Sequence, residues 1–384
     1  MTVYFDNAAT TPVRIEVVDR MTEVLLEVPG NPSSTHAFGR SAKSLIENAR
    51  KTVAAYLNVS PAEIIFTSGG TEADNLALVS AVKDLNVQRI ITSKIEHHAV
   101  LHTVQELEKK EGITVDYVQL QSCGTPDEKH LKQLLQASQE KTLVSLMHIN
   151  NEIGNMIDLV SIGNLCKEHN ALFHSDMVQS VGHFDLDFQE IPVDFTAVSA
   201  HKFHGPKGAG FAFIRKNSGL KSLIYGGEQE RGHRAGTEGV HNIVGLETAL
   251  KCAMDNLEEE RTYIKNLKQY FKEQLESHLP EIKLNGNCHD PEKSTYTLLN
   301  VCLPIPPEKA LMLLFQLDLK GIACSKGSAC QSGSDQGSHV LNEILNEEDR
   351  KKPSIRFSFS HLNTKEEVDY TIGVLQEFIQ KNQA

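Results

Sequence analysis

At 384 residues, 40% of them hydrophobic, the chain is long enough for one large or two moderate globular domains with a sizeable core. Its formal charge of −12 opposes phosphate backbones and anionic membranes, which argues against nucleic acid as a general partner. The seven cysteines, an odd number, are scattered without a C-x-x-C pair, so free thiols in a reducing compartment are expected rather than a disulfide framework.

The N-terminus, Met1-Thr-Val-Tyr-Phe-Asp-Asn-Ala-Ala-Thr-Thr-Pro12, has no basic start followed by an apolar stretch, and no window reaches the length of a membrane span. A cytoplasmic protein is the expectation. From about residue 60 to 215, short apolar runs alternate with longer amphipathic stretches. Ile64-Ile-Phe-Thr-Ser, Arg89-Ile-Ile-Thr-Ser, Thr114-Val-Asp-Tyr-Val, Leu143-Val-Ser-Leu-Met-His, Ala171-Leu-Phe-His-Ser and Gly210-Phe-Ala-Phe-Ile read as strands. Such alternation predicts an α/β fold, a mostly parallel sheet with helices on both faces, and places its site beyond the carboxyl ends of the strands. Residues 243 to 279 read as one long connecting helix stopped by Pro280. Beyond it, Ser294 to Cys302 and Ser354-Ile-Arg-Phe-Ser-Phe-Ser read as strands of a smaller α/β unit, closed by a helix from Glu366 to Lys381.

Unusual polar residues fall repeatedly at strand ends. At Thr67-Ser-Gly-Gly-Thr-Glu a strand runs through two glycines into a helix, whose free N–H groups suit a phosphate; an ordinary helix start capped by Thr71 is the alternative. Neither a Walker A sequence nor G-x-G-x-x-G occurs, which disfavours a nucleotide there. His97 and His98 stand at another such junction, where one imidazole could stack on a flat ring and move protons. Adjacent histidines on a helix diverge, so the pair makes a poor metal site. Asp176 follows an apolar strand, with Gln179 three residues on; the acid could keep a pyridine nitrogen protonated or simply cap a helix.

Lys202 lies where the run Val193-Asp-Phe-Thr-Ala-Val-Ser-Ala-His-Lys turns into a histidine- and glycine-rich segment. A lysine at a strand end is ordinarily solvated, but partial desolvation would favour the neutral, nucleophilic amine that forms an imine with an aldehyde such as pyridoxal phosphate (PLP). The order acid first, lysine about one β-α-β unit later, favours the cofactor reading. In Gly321-Ile-Ala-Cys-Ser-Lys-Gly-Ser-Ala-Cys-Gln-Ser-Gly-Ser the small residues predict a mobile loop; Cys324 beside Ile322 suits a buried position, and Cys330 a nucleophile. Arg356 on a short strand could grip a carboxylate bidentately or form a surface ion pair.

Together these segments resemble the cysteine desulfurases of the NifS/IscS type, PLP enzymes of the class V aminotransferase family in the aspartate aminotransferase superfamily. The resemblance covers nearly the whole chain: Tyr4-Phe-Asp-Asn-Ala-Ala-Thr-Thr-Pro12, Gly30-Asn-Pro-Ser-Ser, Thr67-Ser-Gly-Gly-Thr-Glu, Glu96-His, Met147-His-Ile-Asn-Asn-Glu-Ile-Gly154, Asp176-Met-Val-Gln179, Ser199-Ala-His-Lys202, Arg231-Gly-His-Arg-Ala-Gly-Thr237, Gly327-Ser-Ala-Cys330 and Ser354-Ile-Arg-Phe-Ser. It implies a fold-type-I PLP-dependent transferase with a mostly parallel seven-stranded sheet in a large domain, residues 16–250. The smaller α/β domain, residues 1–15 and 251–384, would carry a mobile cysteine loop at about 322–338.

By the same resemblance Lys202 would hold PLP and move the Cα proton, Asp176 would pair with the ring nitrogen, and His97 would stack on the ring. Asn151 and Gln179 would bond the phenolic oxygen, while Gly70, Thr71, Ser199 and His201 would hold the phosphate. Thr237 would reach the phosphate of a partner protomer, implying a homodimer. Arg356 with Asn151 would orient the substrate carboxylate, and Cys330 would take the sulfur of L-cysteine as a persulfide, releasing L-alanine. The persulfide would serve an acceptor protein such as an iron–sulfur scaffold, or tRNA thiolation. A selenocysteine lyase or another PLP-dependent aminotransferase would keep Lys202 and Asp176 without needing Cys330, and a catalytically silent scaffold would need neither. Lys326, where the resemblance leads one to expect a small residue, would bear on the Cys330 thiolate or on acceptor docking.

Overall fold

The computed structural model describes residues 1–326 and 337–383. In chain order the elements are β1 (Val3–Tyr4), α1 (Ile15–Glu27), α2 (Ala37–Tyr56), β2 (Ile64–Thr67), α3 (Gly70–Leu85), β3 (Arg89–Thr92), α4 (His98–Glu111), β4 (Thr114–Tyr117), α5 (Glu128–Gln136), β5 (Thr142–Ser145), α6 (Leu159–Glu168), β6 (Leu172–Asp176), β7 (Phe195–Ser199), β8 (Gly210–Ile214) and α7 (Val240–Asp255). They continue as α8 (Leu257–His278), β9 (Lys283–Leu284), β10 (Leu298–Cys302), α9 (Ala310–Leu319), β11 (Ile322–Ala323), α10 (His339–Ile344), α11 (Glu347–Lys351), β12 (Ser354–Ser358) and α12 (Lys365–Gln383).

β2 to β8 form one seven-stranded sheet in the order β2-β8-β7-β6-β5-β3-β4. Every pairing is parallel except the two made by β8. Central strands such as β5 and β7 are buried along their whole length, as a sheet covered on both faces requires. One core lies under α1, α2 and α7, and another between the sheet and α3 and α4. A separate core joins Val3 and Phe5 to Phe271, Phe357 and Phe359, around the sheets β12-β10-β9 and β1-β11. A small cluster of Ile95, Ile153, Val340 and Leu341 bridges the two halves.

The single connecting helix expected over 243–279 is two helices. Asn256 breaks it with φ −109° and ψ 11°, and its side-chain amide donates to Cys252 O at 2.8 Å, taking a carbonyl at the end of α7. Glu258, Glu259 and Glu260 then occupy the first turn of α8, where the helix dipole favours negative charge. The two helices part company: α7 packs on α1 and α2, and α8 on α12. The strand expected from Ser294 begins at Leu298, because Ser294 and Thr295 turn to receive the Lys268 ammonium instead.

A buried ion pair fixes the turn after β8. Arg50 on α2 meets Glu230 at 2.7 and 2.9 Å, both side chains 2% exposed, while Glu230 also accepts from Phe66 N and Arg50 donates to Ile64 O. The Arg50 guanidinium also lies 4.7 Å from the centroid of the Phe66 ring. Removing one partner strands the other charge in the core, so Glu230→Ala should cost ~3–5 kcal/mol in urea unfolding. The double variant Arg50→Met/Glu230→Met should cost less than Glu230→Ala; equal or greater loss would show that the pair does not act as a unit.

Candidate active site

The carboxyl ends of the central strands open on a cavity of about 240 Å³. It is lined by Gly70, Thr71, His97, Asn151, Asp176, Gln179, Ser199, His201, Lys202 and Arg356, so these residues from six separated segments share one wall. Lys202 ends the short 3₁₀ turn that follows β7, and its ammonium donates to Ala8 O at 2.7 Å and Ala9 O at 2.9 Å. The lysine therefore sits on the link between two antiparallel strands, not on a strand-to-helix crossover.

α3 begins beneath the cavity. Its cap position is Gly69, not Thr71, and no side chain caps it, so its first amides point into the site without a local acceptor from a cap. Gly69 has φ +152°, and a Cβ on Gly70 would come within 2.5 Å of Val178 Cγ2, so bulkier residues would push the helix away from the Asp176 turn. Ser199 and His201 flank the same point.

Asp176 closes β6 and is 5% exposed. No helix follows it; its carboxylate accepts Val178 N at 2.9 Å in a turn. Burial raises its pKa to about 6, against the opposing pull of the Val178 amide and the Lys202 charge. Two further carboxylic acids lie close by. Asp74 and Glu96 are each 1% exposed, and burial, reinforced by the Asp176 charge, holds both well above the ordinary carboxyl range. Three neighbouring acids cannot all ionise, and Asp176 is the one the local donors favour as the anion. Asp74 faces the buried His174 Nε2 at 3.4 Å, and His174 Nδ1 meets Ser145 Oγ at 2.9 Å.

His97 caps α4, its Nδ1 accepting from Ala99 N at 3.1 Å, so the neutral ring carries its proton on Nε2. Burial, and after it the Lys202 charge, lowers its pKa to about 4. His98 also lines the cavity and lies 4.4 Å, ring to ring, from His339 and 4.9 Å from His102. Among the described residues no histidine, cysteine or acid cluster can hold a metal ion.

Arg356 is no surface ion pair. It is 1% exposed; it donates to Asn151 O at 2.7 Å and to Asp6 at 2.9 Å, and its Nε is buried without a partner. Asp6 also accepts from Ser325 Oγ at 2.7 Å, and the backbones of Ser325 and Arg356 bond each other in both directions. Cys324 packs on the small core, and burial pushes its thiol up to about 12. Cys330 lies outside the described residues. Thr237 does not join the cleft; it lines a separate cavity with Ser68 and Gly210.

Sequence reasoning assigned no role to Asp6, Ala8, Ala9, Glu152 or His339. Asp6, Ala8 and Ala9 belong to a quoted N-terminal motif, but Ala8 and Ala9 meet the site through carbonyl oxygens, which side-chain types do not reveal, and Asp6 through a carboxylate whose partner lies 350 residues away.

The class-V aminotransferase family model matches residues 3–371, and the chain belongs to that family. The chain is 40% identical over 381 residues to the cysteine desulfurase IscS of Dictyoglomus turgidum, covering 99% of this chain and 95% of the relative. It is 41% identical over 384 residues to IscS of Methanosarcina thermophila, covering 99% and 92%. Among solved structures it is similar to a NifS-like protein (TM-score 0.90, 35% identity, 99% and 100% covered) and to SspA in complex with cysteine (TM-score 0.81, 32% identity, 94% and 100% covered).

Enzymes of this family depend on PLP, and the cleft fits that group. A buried carboxylate stands ready for a ring nitrogen, an uncapped helix N-terminus for a phosphate, a lysine amine for the aldehyde, and the orphaned Arg356 Nε for an incoming carboxylate.

His174 provides a test of the buried charge arrangement. Burial lowers its pKa to about 3, below the 6.5 of an unfolded chain, so unfolding takes up a proton between those values and stability falls as pH drops through that window. The stability of the native protein relative to His174→Phe should therefore decline by ~1 kcal/mol per pH unit from pH 6 to 4 in urea unfolding. A difference independent of pH would contradict the neutral, buried imidazole.

Proposed function

We propose that the chain is a PLP-dependent cysteine desulfurase that converts L-cysteine to L-alanine and keeps the sulfur as a persulfide on Cys330. The observation that carries the reading is the meeting of Lys202, Asp176 and the start of α3 with the buried, half-satisfied Arg356 in one cleft. When bound, PLP supplies an electron-withdrawing ring that weakens the bonds at the substrate's Cα and Cβ.

The protein supplies the rest. Lys202, on the short turn after β7 with its amine at Ala8 O and Ala9 O, would hold the cofactor through its aldehyde and would move the substrate's Cα proton. Asp176 would keep a proton at the ring nitrogen, and the neutral His97 ring would stack on the cofactor. Asn151 and the Gln179 amide, which also donates to Ala8 O at 3.0 Å, address the ring oxygen. The first amides of α3 at Gly70 and Thr71, with Ser199 and His201, hold the phosphate. Arg356 and Asn151 orient the substrate carboxylate. The Cys330 thiol takes the substrate sulfur, and the proton balance closes with a methyl group on alanine: cysteine plus thiol gives alanine plus persulfide.

The division into a cofactor-binding domain at 16–250 and a smaller domain of residues 1–15 and 251–384 is supported by the two separate cores, although α7, ending at Asp255, packs with the larger one. A homodimer is supported by the exposed Ile15, Val18, Leu25 and Leu26 of α1 with Phe38 of α2, and by Thr237 lining a cavity separate from its own chain's cleft. The persulfide passes to an acceptor protein of iron–sulfur assembly or tRNA thiolation. A reducing cytoplasm suits the six described cysteines, all free thiols, and among the described residues no helix is long and apolar enough to cross a membrane.

Cys330→Ala should keep the visible absorbance of the bound cofactor while alanine release from cysteine falls at least ~100-fold; retained turnover would overturn the desulfurase reading. Borohydride reduction and peptide mapping should place the cofactor on Lys202, and a label on Lys207 would displace it from the role.

A further inference from the structure

A second cavity, of about 510 Å³, opens where the two halves meet, with Met156 and Phe184 on one side and α8 with the segment ending at Tyr296 on the other. Arg261, Lys265, Lys268 and Lys272 recur along α8 at helical spacing, so they share one face, and all four line the cavity. Glu292 is the one carboxylate among the described lining residues. Such a basic wall is unexpected in a chain of net charge −12.

Lys268 makes the wall more than a solvated surface. It is 8% exposed, and its ammonium donates to Thr295 O at 2.6 Å and Ser294 Oγ at 3.2 Å, both neutral acceptors. Among the described residues neither Lys265 nor Lys268 has a carboxylate within 4.0 Å, whereas Arg261 reaches Glu258 at 2.6 Å and Lys272 reaches Glu276 at 3.8 Å. A cation buried without a counter-ion is costly, and an arriving anion relieves that cost.

We propose that this cavity binds a small, multiply charged phosphate-bearing molecule, at a site separate from the PLP cleft. The proposal does not depend on the desulfurase reading, but the two sites are joined. The Tyr296 hydroxyl, at the cavity wall, donates to His183 O at 2.8 Å, and His183 Nε2 donates to Lys202 O at 3.0 Å.

The test is calorimetry on the PLP-saturated enzyme at constant ionic strength, with pyrophosphate, ADP and adenosine as probes, so that the cofactor's own phosphate site is already filled. Pyrophosphate and ADP should each bind saturably, once per chain, and adenosine should not. Lys265→Glu, an exposed position, should weaken both phosphates at least ~10-fold without changing the cofactor absorbance. Lys268→Met should do the same, and its melting temperature, measured alongside, separates loss of binding from loss of fold. Absence of saturable binding, equal binding by Lys265→Glu, or adenosine binding as well as ADP would overturn the proposal.

Discussion

The Lys202 ammonium held by the carbonyl oxygens of Ala8 and Ala9 is the contact on which the rest of the site depends. The same short N-terminal segment receives Gln179 at Ala8 O, gives Thr11 N to His201 O, and ties Arg356 to Ser325 through Asp6. Asn7 anchors it from behind, donating to Ser358 O and Asn363. One extended stretch thus touches the lysine turn, the arginine strand and the start of the cysteine segment. Main-chain carbonyls are suitable for this: they stabilise a cation without adding a charge that would have to be neutralised when the amine reacts.

A second constraint is the shortage of negative charge that the interior can bear. Asp74, Glu96 and Asp176 crowd one side of the cleft, and Glu152, also raised by burial, stands near Ser338 and His339. Donors decide which acid keeps its charge. Among the described residues Glu96 receives only the Met147 amide, whereas Asp176 has both an amide and the nearby lysine. The histidines around the cleft follow the same logic, since burial holds His97, His98 and His201 neutral near pH 7.

Much of this was legible in the residue pattern, for a physical reason. Strands buried on both faces are short apolar runs, and the polar residues that interrupt them at the carboxyl ends stand out, as Asp176 and Lys202 do. What was not legible depends on context. Arg356 in isolation reads as a surface ion-pair residue, because its burial comes from Asp6 and Asn151, far away in the chain. The Thr71 cap failed because Gly69 can adopt a backbone conformation that moves the helix start two residues earlier. The break at Asn256 was hidden because the apolar spacing runs on through it.

That break has a mechanical meaning. The chain passes from the small half to the large half just before α1, and back again between α7 and α8. Two covalent tethers define a line, and rotation about that line is the rigid displacement that stretches neither tether. Lys202 belongs to one half, while Arg356 belongs to the other. Under such a rotation the distance between the Lys202 amine and the Arg356 guanidinium follows a single angle.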